Sequence, residues 1–311
     1  MLKTILLLLA SLIVVPFISF KFDQGLTADQ WEILIPLLWM CLVVALSCFT
    51  LSELTKNYSQ VDKIWSLVPI LYVGFVAYKT GWAPRLSIMF LLTALWGLRL
   101  TYNFSRRGGY SWKFWTGEED YRWAVLRAKP ELSKPWAWRL FNLFFISLYQ
   151  NYLILFFTLP AVVAARDPHA PLEMFDYALA GLILLFIGIE TVADQQQWVY
   201  QQEKYRRRNA GETLGSLYET GFTHTGLWRW MRHPNYMAEQ AIWVCFYFFG
   251  VAATGAWVNW SLSGALLLLV LFQGSADFSE GISKDKYPLY KAYCMRVGRF
   301  IPTFWKNPDF K

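Results

Sequence analysis

Several apolar runs in this chain reach the ~17–25 residues that a helix needs to cross a bilayer, and no other feature narrows its possible folds as far. Eight spans are expected, at about 4–20, 33–51, 64–78, 86–102, 141–164, 175–193, 239–253 and 258–274. The third and seventh are short enough to be tilted or to cross only in part. Composition agrees: 56% of the 311 residues are hydrophobic and 16% are charged, against the ~25% charge of ordinary soluble domains. The expected fold is an all-α, polytopic transmembrane helical bundle whose cytoplasmic loops close over a cavity.

The basic residues orient that map. Of 29 Lys and Arg, 24 fall in segments on one side and four on the other, with Arg99 inside a span. Cytoplasmic loops carry the Lys/Arg excess, so both termini are expected in the cytoplasm. The net charge of +7 then belongs to that face, where it suits anionic lipid. Nucleic acid is a poor partner for a chain this apolar. The first span reads as a retained helix rather than a signal peptide, because no A-x-A-like site follows it. Cys41, Cys48, Cys245 and Cys294 have unrelated spacings, which gives neither a zinc site nor a disulfide framework.

Two cytoplasmic loops are expected. The first, 103–139, holds Trp112, Trp115, Trp123, Trp136 and Trp138, which suit an interfacial aromatic belt. Its Glu118-Glu119-Asp120-Tyr121-Arg122 reads as the start of a short helix, since acids favour a helix N-terminus. The second loop is 194–232.

Some polar residues are not explained by the membrane. Asp62 precedes the third span and is either a helix cap or a carboxylate that faces a bundle cavity and holds a proton. Arg99 can snorkel to the cytoplasmic surface. Gln150 and Asn151, near the middle of the fifth span, read as interhelical glue. Glu190 and Asp194 are four residues apart and share a helical face.

The densest cluster runs from Gly226 to Glu239. Arg232, Tyr236, Glu239 and Gln240 share a helical face, and Pro234 suits the first turn of a helix. Arg229, Arg232 and His233 stand just before that helix start. Together with its N–H groups they suggest a phosphate or pyrophosphate clamp. No G-x-G-x-x-G motif accompanies it, so a soluble-type dinucleotide fold is not indicated.

Arg232-His233-Pro234-Asn235-Tyr236 followed by Glu239 resembles a motif of the steroid 5-alpha-reductase-like integral membrane proteins. From about Asn57 onward the chain is similar to their bacterial, DUF1295-type branch, which is related to isoprenylcysteine carboxyl methyltransferases. Supporting marks are Asp62 with Trp65, the run 95–100, Arg107 before Glu119-Asp120-Tyr121-Arg122, and Ala193-Asp194-Gln195-Gln196-Gln197. In the tail, Glu280, Lys284, Tyr287, Tyr290 and Tyr293 precede Phe300-Ile301-Pro302.

The resemblance implies N-terminal transmembrane helices over 1–56 and a reductase-like membrane domain over 57–311, with the cofactor-binding part at about 190–302. It implies NADPH as cofactor and reduction of a hydrophobic conjugated alkene or enone that enters from the bilayer. Asp194, Arg232, Asn235, Tyr236 and Glu239 match cofactor-holding positions, as do Arg107, Lys284 and Tyr287. Asp62 stands where steroid-reducing members carry a catalytic glutamate. Trp96 stands about where they carry a tyrosine, and Tyr102 is the nearest tyrosine downstream. The alternatives are a methyltransferase of the isoprenylcysteine type using S-adenosylmethionine and a non-catalytic lipid- or nucleotide-binding protein. A bacterial inner membrane is expected rather than the endoplasmic reticulum, and no metal is expected.

Overall fold

The computed structural model describes residues 13–21, 23, 25–113 and 115–304. Most of the expected first span lies outside the described residues. The described chain is helical, and its one β-type pairing is an isolated bridge between Met231 and Gly298.

The principal helices are α1 (Ala28–Thr55), α2 (Gln60–Ile64), α3 (Val68–Lys79), α4 (Pro84–Ser105), α5 (Tyr121–Arg127) and α6 (Pro135–Ala164). They continue as α7 (Met174–Asn209), α8 (Gly215–Glu219), α9 (Pro234–Thr254), α10 (Leu262–Lys286) and α11 (Tyr290–Arg296). Five of these, α1, α6, α7, α9 and α10, are long and apolar enough to cross a membrane. That makes the chain a helical membrane protein, with fewer such helices among the described residues than the eight spans expected. The expected third span divides into α2 and α3, and α3 has 12 residues, about 18 Å of helix. The expected fourth span is α4, which is long enough but less apolar.

Two ends also move. α7 has 36 residues, about 54 Å, well beyond a ~30 Å hydrocarbon layer. The expected second loop therefore begins as helix and carries Asp194 to Asn209 on a continuous rod. α10 likewise runs past the expected end of its span and brings Glu280 and Lys284 onto helix.

The chain divides into two compact units, one of Met1–Gly181 with Val244–Leu268 and the other of Leu182–Trp243 with Leu269–Lys311. In the first, α1 starts with a capping box: the Gln30 N–H donates to the Thr27 hydroxyl at 3.2 Å, and the Thr27 N–H donates to Gln30 Oε1 at 3.1 Å. α4 packs closely against the segment before α3. A Cβ at Gly97 would stand 2.3 Å from the Ser66 carbonyl oxygen and 2.7 Å from Ile70 Cδ1, so glycine is required there. Arg85, at the start of α4, makes a buried two-pronged ion pair with Asp176 at 2.7 and 3.0 Å.

α6 contains a π-helical stretch, Asn142–Tyr149. Interhelical glue is supplied there by Asn142, whose amide donates to the Ser52 hydroxyl at 2.8 Å and to Glu53 at 2.9 Å. The Asn151 amide donates to the Ser147 carbonyl of its own helix at 2.7 Å and also meets the Cys48 thiol on α1.

Candidate functional site

In the first unit the chemistry centres on Asp62. Its carboxylate accepts a hydrogen bond from the Trp123 indole N–H at 3.0 Å. Trp123 is held because Asp120 caps α5, accepting from the Arg122 N–H at 2.9 Å, which agrees with the short helix read there.

The preceding loop is stitched across residues 57–63. The Asn57 amide donates to the Gly117 carbonyl at 2.9 Å, the Tyr58 N–H to Glu119 at 2.8 Å, and the Asp120 N–H to the Ser59 hydroxyl at 2.9 Å. The Lys63 ammonium, fully buried, donates to the Thr116 carbonyl at 2.7 Å. Tyr110 O–H donates to the Lys63 carbonyl. Trp123 and Trp138 are thus buried packing, whereas Trp112 and Trp136 are exposed as a belt would have them.

This frame separates two carboxylates electrostatically. Burial raises the Asp62 carboxyl above its usual range; Arg122 opposes the rise and Asp120 adds to it. Burial also acts on Asp120, but Arg122, chelating it at 2.8 and 3.0 Å, and Arg107 hold that carboxyl below its usual value. Two acids driven apart in this way can divide the holding and releasing of a proton.

Tyr102 does not join Asp62. It is 67% exposed and its ring lies 5.7 Å from the Arg106 guanidinium. The reason is helical phase: six residues turn the chain by about 240°, so with Trp96 buried on α4, Tyr102 points outward. The site residues missed in the sequence are Trp123 and Tyr110. Their only signal was an aromatic-rich loop, which a belt explained equally well. A cavity of about 220 Å³ lined by Gln30, Arg166, Asp167 and Asn259 lies by the opposite end of α1 and touches none of this chemistry.

In the second unit the centre is Glu280, which is 1% exposed. Arg232 Nε donates to it at 2.9 Å, His233 Nε2 lies 3.1 Å away, Arg299 Nε lies 3.2 Å away and Lys284 Nζ 3.5 Å away. Arg232 Nη2 also donates to Glu280 at 3.4 Å, and Nη1 donates to the carbonyls of Cys294 at 3.0 Å and of Val297. Arg232 and His233, expected to face a phosphate, are both held by an internal carboxylate in this structure. The reason lies far away in sequence, where residues 298–299 run alongside them. The Arg232 N–H donates to the Gly298 carbonyl at 2.8 Å and the His233 N–H to the Arg299 carbonyl at 3.1 Å.

The start of α9 is also engaged. Pro234 occupies the first helical position as expected, but the Tyr236 N–H donates to Asn235 Oδ1 at 3.0 Å and the Met237 N–H to the His233 carbonyl at 3.0 Å. Arg229 is exposed, with its guanidinium 5.4 Å from the Trp230 ring centroid. Arg107 belongs to the first unit. Tyr287 packs on the aromatic cluster of Phe222, Tyr290 and Tyr293.

The structure does bring together a buried polar set. The Asn235 amide donates to Asp194 at 3.2 Å, and Glu239 accepts from the Trp243 indole at 3.1 Å. Glu190, Asp194 and Glu239 are all buried. The Tyr236 ring stacks on His233 at 5.1 Å and meets Phe272 edge-on at 5.0 Å.

Burial pushes the His233 imidazole below its usual value, although Glu280 pulls it upward. The folded state then binds fewer protons than the unfolded state near the usual imidazole pKa, so stability rises with pH through that window and is lost below it. Melting temperatures measured across mildly acidic pH should show this slope, and His233→Gln should flatten it. An unchanged slope in the variant would contradict the assignment.

A family model described as a protein of unknown function, DUF1295, matches residues 48–297. The chain belongs to the DUF1295 family. It is 38% identical over 262 residues to the uncharacterized protein C594.04c of Schizosaccharomyces pombe, a match that covers 80% of this chain and 73% of that protein. No solved structure matches. The DUF1295 match begins inside α1 and takes in Asp62, Trp123, Asp194, the Arg232–Glu239 segment and Glu280.

Proposed function

We propose that this DUF1295 protein is an NADPH-dependent membrane reductase that acts on a hydrophobic conjugated alkene or enone. The observation that carries the reading is the buried set Glu190, Asp194 and Glu239, with the half-buried Asn235 hydrogen-bonded to Asp194, in helices otherwise apolar enough to cross a membrane. Ionisable groups in such helices mark function by default. Carboxylates and an amide fit the hydroxyls of a ribose and the carboxamide of a nicotinamide. They do not fit phosphates, and Arg232 is engaged elsewhere.

A reduced nicotinamide, when bound, supplies a hydride. The chain's own contribution is the proton. Burial favours the protonated form of Asp62 over the charged one, which suits it to give up a proton, and the Trp123 N–H fixes the carboxyl's orientation. The aliphatic substrate and the surrounding lipid share the apolar outer faces of the helices. The concentration of basic residues in one set of segments supports cytoplasmic termini.

The test is ligand-dependent melting of the full-length protein in detergent. NADPH should stabilise more than NADH or S-adenosylmethionine, by about 2.7 kcal/mol at a hundredfold excess over Kd. Asn235→Ala should remove that gain. Asp62→Asn should keep it yet abolish turnover of an enone substrate. Equal or absent shifts with all three ligands would end the reductase reading. A shift with S-adenosylmethionine alone would move the assignment to a methyltransferase.

A further inference from the structure

The polar end of α7 carries four cations, and they divide sharply. Arg206 is chelated by Glu203 and Glu212 at 2.8 to 3.0 Å, and Arg207 is paired with Glu203 at 2.7 Å. Lys204 and Arg208 have no carboxylate partner among the described residues, and neither has Lys286 at the end of α10. These three unneutralised charges are close together: Lys286 and Arg208 both lie within electrostatic reach of the Lys204 ammonium. Like charges gathered without counter-ions repel, unless an anion sits among them.

The surroundings of Lys204 are built rather than accidental. Its Nζ donates to the Gly221 carbonyl at 2.9 Å. It lies 5.1, 5.7 and 5.9 Å from the ring centroids of Tyr205, Tyr200 and Tyr287, and Lys286 Nζ lies 5.4 Å from that same Tyr287 ring. Tyr200 is fixed by hydrogen bonds of its hydroxyl with the Leu217 carbonyl and Thr220, each at 3.2 Å. Gly221 has φ +83°, and a Cβ there would fall 2.3 Å from Tyr287 Cε1, so only glycine lets that ring lie against the backbone. Tyrosine faces and one carbonyl thus hold the Lys204 ammonium in place without neutralising it.

We infer that Lys204, Arg208 and Lys286 form a binding subsite for a phosphate monoester, walled by Tyr205 and Tyr287. A compact ammonium binds phosphate as a point charge, and a guanidinium adds directed donors. The phosphate can come from a soluble nucleotide or from a lipid headgroup. The subsite specifies the anion and not the reaction, so it stands apart from the reductase reading.

The experiment uses full-length protein in detergent with adenosine 2′,5′-bisphosphate as probe and adenosine as uncharged control. The bisphosphate should bind and adenosine should not. Lys204→Gln and Lys286→Gln together should weaken binding at least about tenfold, equal to about 1.4 kcal/mol. Arg206→Gln, which removes a paired cation, should leave it unchanged. Arg208→Gln and Lys286→Gln singly keep the test valid if loss of Lys204 disturbs the fold. In phosphatidylcholine nanodiscs doped with phosphatidic acid, native mass spectrometry reads the lipid source. Retention of phosphatidic acid that falls in the double variant supports the subsite with a lipid phosphate. Equal binding of both probes by wild type and double variant overturns it. Bisphosphate binding without stabilisation by NADPH upholds the subsite and removes the reductase reading.

Discussion

Glu280→Ala is expected to cost the protein about 3–5 kcal/mol, the range for breaking a buried pair by removing one partner. Glu280 is 1% exposed, is the common counter-charge for Arg232, Lys284 and Arg299, and also contacts His233. Its removal leaves Arg232, whose side chain is 10% exposed, facing only the Cys294 and Val297 carbonyls. Arg232→Ala should be nearly as damaging, because it strands the carboxylate. Glu280→Gln should fall between, since it keeps an acceptor and loses the charge. The check is thermal melting and limited proteolysis in detergent. An Arg232→Ala protein as stable as its parent would return Arg232 to the role of a ligand-facing cation.

Arg85→Ala should bring a loss of the same size in the other unit, again about 3–5 kcal/mol. The Arg85 and Asp176 side chains are 2% and 0% exposed and meet at 2.7 Å. Asp176 also accepts from the Glu173 N–H at 2.9 Å, and Arg85 donates to the Pro171 carbonyl at 3.0 Å, so either deletion orphans backbone groups as well. Asp176→Asn should be the milder change. The double variant Arg85→Met, Asp176→Leu should recover much of the loss, since an apolar pair removes both desolvated charges together. A double variant no better than the singles would mean that the backbone contacts, not the ion pair, hold this junction.

These two pairs mark where sequence reasoning stops. Arg85 and Asp176 are 91 residues apart, and Arg232 and Glu280 are 48 apart. Nothing local distinguishes an arginine bound to a distant carboxylate from one that waits for a phosphate. The sequence marks the Gly226–Glu239 segment as dense in charge, and Pro234 begins α9 as its place in that segment predicts. In the structure a glutamate of the same chain, Glu280, contacts both Arg232 and His233. Asp194 and Asn235, which the resemblance places among cofactor-holding positions, meet at 3.2 Å.

The membrane character, the helical class and the positions of α1, α6, α7, α9 and α10 were determined by the sequence alone. Run length and hydropathy are local quantities, and a bilayer imposes the same length on every helix that crosses it. Helix phase was also legible in principle, as Tyr102 shows: once Trp96 is known to be buried, the outward direction of Tyr102 follows. Only the tertiary structure decided which charges neutralise one another. Trp123 reaches Asp62 from 61 residues away, Glu280 takes Arg232 and His233, and Lys204, Arg208 and Lys286 lie near one another with no carboxylate partner among the described residues. Electrostatic energy depends on separation in space, and separation along the chain does not reveal it.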